Sequence, residues 1–158
     1  MQNKEILIIG LGNEILSDDG IGPRLVKSLA RMIDNTNFKF VTASCGGLEI
    51  MEYIRGYKKA VIIDAIRTLH GTPGNVYTFT ASDFRETSNL SNFHDVNFLT
   101  ALQIGNSLEL DLPSDLNIIA VEIKEDREFS ENLTPLLEKK YNDILEEVYT
   151  IVNKITDN

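Results

Sequence analysis

Apolar residues recur along this chain in two rhythms, short unbroken runs and helical spacing, and they alternate with each other from end to end. Ile6, Leu7, Ile8 and Ile9 form the first run. An unbroken run of this length suits a strand covered on both faces, as in a parallel sheet. It stops at Gly10-Leu11-Gly12-Asn13, where glycines let the backbone turn tightly. Leu25, Val26, Leu29 and Ala30 then fall at helical spacing and predict a helix over Pro23–Met32, with Pro23 in its first turn and Asp34-Asn35 ending it. Phe38–Thr42 alternates and predicts a second strand, and Cys45-Gly46-Gly47 a turn. Leu48–Ile54 predicts a short helix with Leu48, Met51 and Ile54 on one side. Ala60–Ile63 is a third strand, ended by Asp64, and His70–Gly74 a loop rich in breakers. Val76–Phe79 is a fourth strand, and Thr80–Asn92 is polar and irregular. A helix is expected from Phe93 or His94 to about Ile104, and Leu116–Val121 is a fifth strand. After a charged loop, Glu122–Asn132, a last helix is expected from Leu133 to about Lys154, with Asn132 or Thr134 as its cap and Pro135 in its first turn. Leu136, Leu137, Ile144, Leu145, Val148, Ile151 and Val152 fall mostly on one face of it.

Strands that alternate with helices predict an α/β fold: a mainly parallel, twisted sheet of about five strands with helices on both faces. The fourth strand is the exception. No helix separates it from the third, so that hairpin-like step is open to an antiparallel arrangement. No internal repeat, low-complexity tract or linker interrupts the chain, so residues 1–158 are expected to form a single domain.

Charge narrows the partners. The formal net charge is −9, which argues against nucleic acid, because phosphate binding needs clustered Lys and Arg. A cationic or metal-loaded partner fits better. A single cysteine, Cys45, cannot build an internal disulfide framework. The Ile6–Ile9 run is too short for a signal peptide, and no stretch approaches a membrane span. A cytoplasmic protein with no membrane partner is expected. A monomer is expected too, since no apolar stripe is left unassigned.

The stretch Glu5–Gly22 concentrates the candidate chemistry. A dinucleotide fingerprint needs a third glycine three residues after the second, and Ile15 stands there. The close helix–strand approach that this glycine provides is therefore not expected. The loop also carries Glu14, Asp18 and Asp19 and no basic residue before Arg24, so a pyrophosphate would meet like charge. Open α/β sheets bind ligands at the carboxyl ends of their strands. The polar residues there are Asp19 after the first strand, Asp64 at the end of the third, and His94 at the helix start after the fourth. Two carboxylates and an imidazole form a mixed O/N set able to hold nickel, zinc or iron. Plainer roles stay open for each. Asp18 or Asp19 can cap the first helix, Asp64 can simply close a strand, and His94 can be a polar residue at a helix start. His70 reads as surface and Cys45 as a small packed residue. No G-x-S-x-G elbow occurs.

These residues, taken with their surroundings, resemble the nickel–iron hydrogenase maturation endopeptidases. The likeness runs through GLGNEILSDDGIG (Gly10–Gly22), GLEIMEYI (Gly47–Ile54), VIIDAI (Val61–Ile66) with Gly71-Thr72-Pro73-Gly74, SNFHDVNFLTAL (Ser91–Leu102), IIAVEI (Ile118–Ile123) and SENLTP (Ser130–Pro135). The resemblance implies an endopeptidase that removes the C-terminal extension of a hydrogenase large-subunit precursor after nickel insertion. It implies nickel supplied by the precursor, no permanent cofactor, and docking of that nickel on Asp19, Asp64 and His94. Two departures stand out. Thr42 occupies the place where the family often has an Asp, and the loop after the last strand reads Glu122-Ile123-Lys124-Glu125 without the proline often found there. Two other classes remain: another metal-dependent hydrolase on the same fold, and a non-catalytic protein that senses metal or binds a partner.

Overall fold

Strand β1 (Ile6–Leu11) is buried from Leu7 to Leu11 because it has a strand on either side and helices above and below. The computed structural model describes residues 5–80, 83 and 104–157. Along the chain, β1 leads through a 3-10 turn (Ser17–Gly20) into helix α1 (Ile21–Met32), then strand β2 (Phe38–Ala43) and helix α2 (Leu48–Ile54). Strands β3 (Lys59–Ile66), β4 (Val76–Thr80) and β5 (Asp115–Glu122) follow, and helix α3 (Pro135–Thr156) ends the described chain. The expected helix beginning at Phe93 or His94 lies outside the described residues, of which 104–107 are helical.

The sheet order is β2-β1-β3-β5-β4. The first four are parallel and β4 runs antiparallel along β5. Side chains alternate across the sheet. Ile8, Val61, Ile63, Ile119 and Val121 face α1 and α3, meeting Leu25, Leu29, Leu137, Ile144 and Val148. Leu7, Ile9, Ala60, Ile62, Ile118 and Ala120 face the other way, onto Ile50, Met51 and Ile54 of α2. The expected α/β architecture, mainly parallel with helices on both faces, is what the chain adopts.

Four local expectations are corrected. Strand β3 does not end at Asp64: Ala65 and Ile66 continue the ladder opposite Val121 and Glu122, which places Asp64 inside the strand opposite Ala120. Strand β4 is antiparallel but neighbours β5 rather than β3, because the loop after β3 crosses the end of β5. That crossing is fixed where Gly74 N–H donates to Glu122 O (2.8 Å) and Glu122 N–H donates to Asn75 O (2.8 Å). The close helix–strand approach is present after all. A Cβ on Gly10 would lie 2.5 Å from Gly22 O, and one on Gly22 2.4 Å from Leu11 O and 2.6 Å from Ile63 O. Gly22, outside any nucleotide fingerprint, lets α1 sit against β1 and β3. Finally, α3 starts at Pro135 rather than at Leu133 and Leu136 points outward, while Thr134 takes the cap position and Pro135 the first turn, as expected. No helix among the described residues is long and apolar enough to cross a membrane.

Candidate functional site

Between β1 and β3 the connections diverge. The chain leaves β1 for β2 on one side, then crosses to β3 on the other. This is the topological switch point at which open α/β sheets leave a crevice beyond the strand ends. Here it is a cleft of about 530 Å³.

One wall is the turn after β1. Gly12 has φ +143° and its N–H donates to Ala43 O (3.1 Å), so the loop hangs from the end of β2. A Cβ at Gly12 would lie 2.0 Å from Asp19 O, so only glycine lets these backbone segments meet. Asn13 folds the loop back on itself. Its side-chain oxygen accepts Ile15 N–H (3.1 Å), and its own N–H donates to Asp19 Oδ2 (2.8 Å). Asp19 lines the cleft from this wall.

The floor carries Asp64. It is 6% exposed, its Oδ1 accepts Ala65 N–H (2.8 Å), and it borders the same cleft. The structure therefore brings together two of the three residues singled out by strand position, Asp19 and Asp64. The third, His94, lies outside the described residues.

The opposite wall holds residues that sequence reasoning passed over. Cys45 and Glu49 both line the cleft. Cys45 does pack against the α2-side core, as expected of a small residue, but it also borders the cleft. Burial, then the Glu49 carboxylate, then that of Asp64 push its thiol above the ordinary value. The signal was available: Cys45 follows the carboxyl end of β2, the criterion that selected Asp19.

The bland roles also resolve. Neither Asp18 nor Asp19 caps the first helix, since the cap positions of the 3-10 turn and of α1 are Leu16 and Gly20 and neither end has a side-chain cap. Asp18 is fully buried and accepts from Lys124 N–H (3.2 Å), Glu125 N–H (3.0 Å), Thr134 N–H (2.7 Å) and the Thr134 hydroxyl (3.0 Å). His70 is exposed, as expected, beside a smaller hollow of about 260 Å³.

Chemically, the described residues that line the cleft present three carboxylates, Asp19, Glu49 and Asp64, and include no Lys or Arg. It suits a cation or a proton transfer and opposes a phosphate. Among the described residues, no group of three or more His, Cys, Asp or Glu is arranged to hold a metal ion. Asp19 and Asp64 offer two oxygen donors to an ion that brings other ligands with it.

Comparison with known proteins bears on the family and the fold. A family model for hydrogenase maturation protease, HycI, matches residues 23–151, a span that begins after Asp19 and contains Asp64. The hydrogenase expression/formation protein HupD of Thiocapsa roseopersicina is 26% identical over 147 residues, 90% of this chain and 65% of that protein. Coenzyme F420 hydrogenase subunit delta of Methanothermobacter thermautotrophicus is 28% identical over 85 residues, 50% of this chain and 53% of that one. The chain thus spans less than two thirds of either relative's length. Among solved structures, the hydrogenase maturating endopeptidase HybD from Escherichia coli shares the fold, with a TM-score of 0.76 at 23% identity over 96% of this chain and 94% of that one. With most of its length matched by the family model, this chain belongs to the hydrogenase maturation protease family.

Proposed function

We propose that the protein is an endopeptidase that removes the C-terminal extension of a nickel–iron hydrogenase large-subunit precursor once nickel is in place. The observation that carries this reading is the meeting of Asp19 and Asp64, distant in sequence, in one cleft at the switch point of a chain from this family. The precursor's nickel, still held by the precursor's own ligands, docks on Asp19, Asp64 and His94. Two carboxylates favour a cationic centre, and a neutral His94 adds a nitrogen donor, so docking should weaken as that imidazole takes up a proton. The protein holds no metal of its own between substrates. A site that bound nickel tightly when empty of substrate would not distinguish a loaded precursor from an unloaded one.

Docking brings the scissile peptide bond into the cleft. Water oxygen bonds to the carbonyl carbon, a carboxylate takes the water proton, and the C–N bond breaks as the leaving nitrogen is protonated. The ion orients the precursor and can polarise the carbonyl.

The test is to incubate the purified protein with nickel-loaded and nickel-free precursor and follow loss of the C-terminal peptide by mass. Cleavage of the loaded form alone is expected. Asp19→Asn, Asp64→Asn and His94→Ala should each slow it by roughly a hundredfold while the variants stay folded. Unimpaired cleavage by all three would remove the docking role. Stoichiometric metal in the freshly purified protein would favour a resident-metal hydrolase instead. Tight precursor binding with no cleavage would favour a non-catalytic partner-binding protein.

A further inference from the structure

Asp18, in the acidic turn, has a carboxylate held by four donors, and the proposed cleavage does not use it. It lies in the same 3-10 turn as Asp19 yet is fully buried and turned away from the cleft lining. Its carboxylate gathers three backbone N–H groups and one hydroxyl, from Lys124, Glu125 and Thr134. Thr134 is the cap residue of α3, so the carboxylate also sits at the positive end of a long helix. The backbone is pinned at the same place. Asp18 N–H donates to Glu125 O (3.1 Å), Ser17 N–H to Ser130 O (2.9 Å), and Ser130 N–H to Ile15 O (3.0 Å). The turn bearing Asp19 is thereby bolted to the segment between β5 and α3. On the other side, Gly12 packs against Asp19 O, and Asn13 N–H reaches the Asp19 carboxylate.

We propose that Asp18 is a positioning residue for Asp19. By binding Lys124, Glu125 and Thr134 it fixes the turn so that the Asp19 carboxylate stays on Asn13 N–H and over the cleft. Its negative charge, which would repel that of its neighbour, is offset by charge-assisted bonds and the helix end. The Thr134 hydroxyl, diverted from capping its own helix, completes the set. The consequence for cleavage rests on the peptidase reading above. The geometric claim does not.

Asp18→Asn and Thr134→Val weaken the set from its two sides. Thr134→Val removes only the hydroxyl donor, so it serves if Asp18→Asn does not fold. Thr134→Ser restores the hydroxyl. The first readout is hydrogen exchange at the Asn13 amide in the folded protein. Its protection should drop by roughly tenfold in Asp18→Asn, by less in Thr134→Val, and return in Thr134→Ser, with protection in the β3 core unchanged. The second readout is precursor cleavage. The kcat should drop by roughly ten- to a hundredfold in Asp18→Asn with KM within about threefold, because a displaced group costs turnover rather than binding. A purely structural Asp18 would lower protection in the β3 core and leave kcat per folded molecule intact, and that result overturns the proposal. So does an Asn13 amide that stays protected in both variants. If wild-type protein cleaves nothing, the peptidase reading fails, and Asn13 exchange still decides the geometric claim.

Discussion

Two buried acidic residues stand toward the same edge of the sheet on neighbouring strands, and their fates differ. Asp64, 6% exposed in β3, borders an open cleft of about 530 Å³. Glu122, 2% exposed at the end of β5, is sealed over. The Thr68 N–H (2.7 Å) and hydroxyl (2.9 Å) both donate to its carboxylate. Gly71 packs so near that a Cβ there would lie 2.2 Å from the carboxyl carbon. The difference is one of topology. Connections part on either side of β1 and β3 and leave room for a ligand. The loop after β3 instead folds across β5 on its way to β4 and uses Glu122 as an internal anchor. A buried carboxylate toward the carboxyl edge of this sheet thus borders an open cleft where the neighbouring connections diverge and is sealed where a loop crosses it.

That contrast is open to attack at each end. The largest effect is expected from Gly12→Val, which puts a β-branched side chain at φ +143° and a Cβ 2.0 Å from Asp19 O. Cleavage should be lost altogether, and the denaturation midpoint should fall by the equivalent of about 2 kcal/mol or more. A Gly12→Val protein of normal stability and activity would show that the open end does not depend on this turn.

Next comes the pair Asp64→Asn and Glu122→Gln. The first should remove most activity with little loss of stability. The second should do the reverse, costing about 1–3 kcal/mol in urea titration because a buried acceptor of the Thr68 donors is replaced. Its cleavage rate per folded molecule should stay within about threefold of wild type. If the two variants behave alike, the division between an open and a sealed carboxylate is wrong.

The smallest effect is read at Cys45. Burial, Glu49 and Asp64 hold its thiol above the ordinary value, so the thiolate is scarce at neutral pH. Alkylation by iodoacetamide should therefore rise steeply only as pH climbs past the usual thiol range. Asp64→Asn removes one of the two negative charges and should quicken the reaction, while Glu122→Gln should leave it unchanged. Equal rates in both would separate Cys45 from the Asp64 end of the cleft.

The division between what the chain announces and what its folding decides can be followed residue by residue. Short apolar runs and helical spacing are local properties, so β1, β2, α2 and α3 were legible, and the Leu48–Ile54 helix has the bounds its pattern predicts. The placing of ligands at carboxyl strand ends also follows from the alternation of elements, which is why Asp19 and Asp64 could be singled out. Strand ends were less legible. Ala65 and Ile66 extend β3 because Val121 and Glu122 lie opposite, a partner distant in sequence.

What the sequence determined by itself is the α/β class, the succession of the elements among the described residues and the acidic turn, because hydrophobic period and turn chemistry act over a few residues. Only the tertiary structure decided that β4 lies along β5, that Gly10 and Gly22 meet, that Cys45 and Glu49 join the cleft, and that Asp18 faces Thr134 instead of the cleft. Each of these depends on which distant segments the sheet order brings side by side. A buried carboxylate takes whatever donors that order supplies, and no local pattern in the chain names them.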